Sequence, residues 1–283
     1  MAKPKTQELA RRALSQLVRE LEAGRSEQLK AYLAALARLH RYSWGNVLLI
    51  HAQCPGASRV AGYRTWQRLG RQVRRGAKGI HILAPIVRRA RRDQEEEKVV
   101  GFRGACVFDV SQTDGEPLPE FARVGGDPGP HLARLKRMIA DRGIELERAA
   151  IPGGADGLSC AGRIVVRPGL KAAEEFSVLA HELAHTMLHQ SDAARPASKQ
   201  VRETEAEAVT FVVCQAAGLA TNSAASDYIQ LYQGNRETLI ASFERIQRAS
   251  AEIIKGVLAG EVAKRAPRYV RAAQEHRSLF DFM

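Results

Sequence analysis

The chain has 283 residues, of which 45% are hydrophobic and 26% charged, and carries a formal net charge of +12 at pH 7. That length fits two domains of ordinary size, and the apolar content is sufficient for a core in each. No apolar run approaches the ~20 residues of a membrane-crossing helix, and Met1-Ala2-Lys3-Pro4-Lys5 leads into a charged amphipathic helix instead of a signal peptide, so a cytoplasmic chain with no membrane partner is expected.

Cys54, Cys106, Cys160 and Cys214 are too widely spaced for a zinc knuckle or a disulfide framework and read as reduced core thiols. The charge is lopsided: residues 1–125 hold 23 Lys and Arg against 12 Asp and Glu, whereas the remainder is nearly balanced at 20 against 19. A basic half beside a neutral one is the footprint of polyanion binding.

From about Thr6 to Arg41, leucines at helical spacing predict a helical hairpin broken at Ala23-Gly24-Arg25-Ser26, with Ser26 able to cap the second helix. Val47 to Ile50 reads as a buried helix or strand. The stretch that follows interleaves aromatics, cations and glycines, and from Arg59 to Arg92 there are eleven Lys or Arg and no acid. Single-stranded nucleic acid needs flat rings for its bases and cations for its phosphates. Tyr42, Trp44, Asn46, Tyr63, Arg64, Trp66, Arg68, Arg71, Arg74, Arg75 and Lys78 are the candidate contacts, with core packing the alternative for Trp44 and Trp66. Nothing suggests the helix-turn-helix or zinc finger that duplex reading would require.

Ile80 to Val87 and Lys98 to Val110 read as strands joined by a solvated, charged tip, and the Gly- and Pro-rich stretch after them reads as a linker. The expected division is residues 1–115, a linker at 116–130, a second domain at 131–262 and a basic tail at 263–283. A helix over His131 to Arg142 and strand-like pieces at Ile144 to Glu147 and Arg163 to Arg167 open the second domain, with Ser159 to Val166 the expected edge strand for an extended peptide.

Phe176 to Leu188 then predicts a helix carrying His181-Glu182-Leu183-Ala184-His185. The four-residue step puts both imidazoles on one helix face, where they can hold Zn²⁺ and leave a position for water. Glu182 then serves as general base and afterwards as acid. A second predicted helix from Val201 offers Glu203 as third ligand, and Glu207, one turn on, as hydrogen-bond acceptor from a ligand imidazole. His189 is the rival third ligand, and Glu205 is expected on a solvated acidic face. Ala224 to Tyr232 and Arg236 to Leu258 complete the helices, with Tyr228 or Tyr232 as a possible donor to an oxyanion.

Taken together, Trp44-Gly45-Asn46-Val47-Leu48-Leu49, Gly62-Tyr63-Arg64-Thr65-Trp66, the run Gly70 to Gly79, Ala180 to His185 and Glu203 to Ala208 resemble the ArdC-type antirestriction proteins. The Glu-rich helix is also similar to that of the ImmA/IrrE peptidases, which cleave DNA-bound repressors. The resemblance implies a two-domain α+β protein: an N-terminal single-stranded-DNA-binding domain of helical hairpin and small sheet, then a mostly helical zincin-like metallopeptidase domain with a short sheet. It further implies single-stranded DNA as a partner and the shielding of DNA from restriction as a role. The expected activity is zinc-dependent hydrolysis of peptide bonds in an unidentified protein substrate. The alternative is a DNA-protecting protein without enzymatic activity, in which zinc is structural. Met187-Leu188-His189 departs from the family pattern.

Overall fold

The structure, a computed structural model, describes residues 3–88, 98–115, 126–151, 155–160, 162–189, 198–220 and 236–259. The expected hairpin tip, most of the linker, Tyr228, Tyr232 and the basic tail lie outside the described residues. In chain order the elements are α1 (Lys3–Glu22), α2 (Glu27–Arg38), α3 (Trp44–Gln53), β1 (Val60–Ala61), α4 (Tyr63–Arg68), β2 (Arg71–Val73), β3 (Ile80–Arg88), β4 (Lys98–Asp109), β5 (Thr113–Gly115), α5 (Pro130–Asp141), β6 (Glu145–Arg148), β7 (Gly157–Cys160), β8 (Arg163–Val166), α6 (Ala172–His189), α7 (Lys199–Ala216) and α8 (Arg236–Val257). The fold is mixed α+β, and the described residues form three small sheets, ordered β1-β4-β3, β2-β5 and β6-β8-β7.

The chain forms two compact units, and the described residues of the first lie in 3–23 and 38–115. Residues 24–37 belong to the second unit. The expected domain of residues 1–115 includes α2, whose residues up to 37 fall by their contacts in the second unit. Leucine spacing shows that a helix buries a face but not what it buries that face against. Here Tyr32 of α2 packs on Phe243 of α8, with ring centroids 5.0 Å apart.

In the first unit β3 pairs with β4 along one side, which leaves the backbone groups of its other edge in need of partners. Helix α3 supplies them. Asn46 Nδ2 donates to the Leu83 carbonyl at 2.8 Å while the Leu83 N–H donates to Asn46 Oδ1 at 2.9 Å. Gln53 repeats the arrangement on His81, with both bonds at 2.9 Å. The two amides act as a stand-in for a neighbouring strand. They also settle Val47 to Ile50 as helix, fully buried. A second cluster packs Ala61, Trp66 and Val73 with Ala77, Phe108 and Val110, and the Trp66 indole N–H donates to the Phe108 carbonyl at 2.9 Å.

In the second unit, the expected edge strand from Ser159 to Val166 is two strands. Gly162, at φ 78, turns the chain between β7 and β8, a left-handed conformation that glycine adopts without a Cβ clash. Strand β8 is central, paired parallel to β6 and antiparallel to β7, so of the two strands in this stretch β7 is the one at an edge. Beside the sheet, α6 buries Phe176, Leu179, Ala180, Leu183 and Ala184, a stripe at three- and four-residue steps. Glu175 near its start takes Lys136 Nζ of α5 at 3.0 Å and Arg148 of β6 at 2.7 Å, fastening three elements at one carboxylate. Of the four cysteines, Cys214 alone is a core thiol, and burial pushes it up to about 12; Cys106 is exposed.

Candidate metal centre and basic surface

His181, Glu182 and His185 lie on α6 because the apolar stripe turns the remaining positions of that helix away from the core. Helix α7 is capped by Ser198, whose hydroxyl accepts from the Val201 N–H at 3.2 Å and so satisfies one of the open donors of the first turn. It brings Glu203 against the two imidazoles. His181 Nε2 lies 3.0 Å from His185 Nε2, and Glu203 Oε2 lies 3.7 Å from the first and 3.2 Å from the second. A tetrahedral ion with bonds of about 2.0–2.1 Å to nitrogen and oxygen holds its ligand atoms about 3.3 Å apart, so the three donors fit such an ion. Burial first, and then the neighbouring His185, lower His181 to about 4, which leaves its imidazole uncharged at neutral pH with a lone pair to offer.

Glu182 is buried beside this cluster, and burial raises its carboxyl above the usual range although hydrogen bonds from Ser159 pull the other way. A carboxylate so raised is a stronger base toward water than a free one. Gly157 lets it sit there: a Cβ at this glycine would stand 2.7 Å from Glu182 Oε1 and 2.6 Å from Val178 Cγ1. The sequence reading missed Gly157 and Ser159 as site residues. The available signal was a glycine inside a short strand, which marks close approach by another group.

The remaining residues of the predicted centre separate clearly. His189 is not brought into the cluster; its Nε2 approaches the Arg202 carbonyl at 3.2 Å and lies 3.9 Å from Glu205. The expectation of a solvated Glu205 is overturned, because its side chain is 0% exposed. It accepts from Ser242 Oγ at 2.6 Å and from Arg245 Nε at 3.1 Å, both on α8, so Glu205 joins two helices at a buried ion pair. Glu207 is half-buried, and among the described residues no hydrogen bond joins it to either ligand imidazole.

The first unit sorts the predicted nucleic-acid contacts just as clearly. Tyr42, Trp44, Asn46 and Trp66 are all buried and offer no face to a base, which corrects their reading as contacts. Their side chains serve the fold: Tyr42 donates to the Val60 carbonyl at 2.9 Å, Asn46 clamps β3, and Trp66 fills the second cluster. Arg71 also serves the fold, donating to Thr113 Oγ1 at 2.8 Å and to the Gly115 carbonyl at 2.9 Å. Arg74 is exposed, with bonds to the Ser111 carbonyl and a 3.4 Å approach to Asp114. Tyr63, Arg64, Arg68, Arg75 and Lys78 are exposed, Tyr63 at 43%. Arg64, Gln67 and Arg68 line a shallow recess of about 580 Å³. What the basic stretch presents is one accessible ring among cations that alternate with fold-forming residues.

Residues 7–110 match the family described as the N-terminal domain of anti-restriction factor ArdC. The metal-free crystal structure of antirestriction protein ArdC from plasmid R388 superposes with a TM-score of 0.56 at 22% identity, covering 88% of this chain and 97% of that one. Its Mn(II)-bound structure gives 0.55 at 20% identity, covering 89% and 98%. An uncharacterised protein of Bacillus anthracis, pXO2-81, is 24% identical over an alignment of 260 positions that covers 75% of this chain and 44% of that protein, so the chain spans less than half of that relative's length. The chain is therefore similar to ArdC by sequence over its N-terminal 7–110 and by fold across nearly nine-tenths of its length.

Proposed function

We propose that this chain is an antirestriction protein of ArdC type, in which the first unit binds single-stranded DNA and the second is a metal-dependent peptidase. The observation that carries the enzymatic part is the convergence of His181, His185 and Glu203 on one point, with Glu182 buried beside it. A divalent cation held by those three would supply a Lewis acid for a scissile carbonyl and an acidified water. Zinc suits two imidazoles and a carboxylate, and the ArdC crystal structure with Mn(II) supports a divalent ion in this fold.

The chain's own residues do the rest. His181 offers the lone pair of a neutral imidazole, and His185 Nε2 faces the same point. Glu182, raised by burial, accepts a proton from the attacking water and returns it to the leaving amine. For the first unit, the support is the excess of cations before residue 125 together with the exposed set of Tyr63, Arg64, Arg68, Arg75 and Lys78. A ring and spaced cations suit a flexible strand, with no element shaped for a duplex groove. The test is Glu182→Gln in the full chain. This variant should retain its metal and its affinity for oligo-dT while losing peptide hydrolysis, and hydrolysis persisting undiminished in the purified variant would refute the assigned role.

A further inference from the structure

The first unit holds a cationic turn that is fastened to the fold on several sides. The Ala77 N–H donates to the Arg74 carbonyl at 3.1 Å, and Gly76 between them has φ 82, the pattern of a type II turn. Ala77 packs against the buried cluster of Ala61, Trp66 and Val73, which anchors the turn to the core. Gln112 closes it from the side: its carbonyl accepts from the Arg74 N–H at 3.0 Å, and its Nε2 donates to the Lys78 carbonyl at 2.8 Å. Gln112 is itself held. Its Oε1 accepts from the Asp109 N–H at 2.9 Å, and the buried Asp109 carboxylate accepts from the N–H groups of Ser58, Arg59 and Ser111. The Arg74 guanidinium is taken up by the Ser111 carbonyl and by Asp114. Arg75 and Lys78 are exposed, and among the described residues no carboxylate pairs with either.

We propose that residues 74–79 are a preformed phosphate clasp, in which Arg75 and Lys78 hold the backbone of a single DNA strand, and that Gln112 is the residue that positions it. The proposal rests on the reading of the first unit as a single-strand binder and names where that strand's phosphates are met. A loose loop loses freedom when it closes on a ligand, and that loss is subtracted from affinity. A turn tied at both ends has lost it on folding, so its two cations meet a phosphate chain with little further ordering. The Gln112 amide is engaged at both of its ends, on Asp109 and on Lys78, so it acts on the strand only through the turn.

Affinity of the full chain for oligo-dT across a salt series, read well below each variant's melting temperature, tests the clasp. In Arg75→Ala the slope of log affinity against log salt should fall by ~0.7, one neutralised phosphate of a single strand. Gln112→Leu removes no charge, yet should lower affinity roughly two- to tenfold by loosening the turn. Gly76→Ala should do the same by another route: a Cβ there meets nothing within 4 Å, so it strains the turn through φ alone. Combined with Arg75→Ala, either turn variant should lose less than the product of the single losses, because a loosened turn makes less use of Arg75. Combined with Arg64→Ala, on α4 and outside the turn, the losses should multiply to within about twofold. A full slope in Arg75→Ala would overturn the clasp and leave the DNA reading standing. So would unchanged affinity in both turn variants, or losses that multiply with Arg75→Ala as they do with Arg64→Ala. No binding of oligo-dT by the wild type would overturn both.

Discussion

Asn46 and Tyr63 are both expected nucleic-acid contacts and have opposite fates, which makes them the sharpest pair for mutagenesis. Asn46→Ala leaves the N–H and carbonyl of Leu83 without partners in a buried place, at about 1–3 kcal/mol for each group. Chemical denaturation should show that loss, and any fall in DNA affinity should follow the fraction unfolded. Tyr63→Ala removes an exposed ring, so its melting temperature should barely move while affinity for oligo-dT weakens by roughly 1–3 kcal/mol, the contribution of one stacked base. The reverse pattern would return Asn46 to the interface. Aromatics and cations in alternation are legible in a sequence as a composition, but burial is not. Trp66 is two positions from exposed Arg64 and Arg68, and only the α4 face it occupies separates core from surface.

Among the elements, α7 carries three glutamates with three different surroundings. The helical step made Glu203 legible as a partner for His181 and His185, because all three positions depend on local periodicity. Glu205 was not legible: its partners Ser242 and Arg245 lie on α8, and no local rule connects them. Arg245→Leu strands a fully buried carboxylate and should cost about 3–5 kcal/mol in unfolding free energy by denaturant titration.

On α6 the carboxyl of Glu175 behaves differently with pH. Burial raises it, but hydrogen bonds and charge from Lys136 and Arg148 outweigh this and hold it below its ordinary value of 4.5. A depressed carboxyl stabilises the fold above its ordinary value, and that stability is lost as pH falls from there through the lowered value. Glu175→Gln should therefore flatten the acid limb of stability below about pH 4.5, measured by thermal melts across pH. An unchanged acid limb would mean that the two ion pairs contribute nothing.

At the scale of the whole molecule, the α+β class, the strands β3 and β4 and the helices α5 to α8 were legible because each is a long run with one period. The assignment of α2 to the second unit was not, since a helix's partner lies in tertiary contacts that spacing does not encode. The resemblance to ArdC found in a few motifs agrees with a fold shared over most of the chain. The proposed peptidase activity requires a metal held between α6 and α7. Its most direct measurement is elemental analysis of the purified full chain beside His185→Ala, Glu203→Ala and Glu207→Ala. The expected result is one divalent ion per chain in the wild type and in Glu207→Ala, with most of it lost in the other two. Equal metal content in all four proteins, or none in the wild type after exposure to zinc and manganese, would contradict the account.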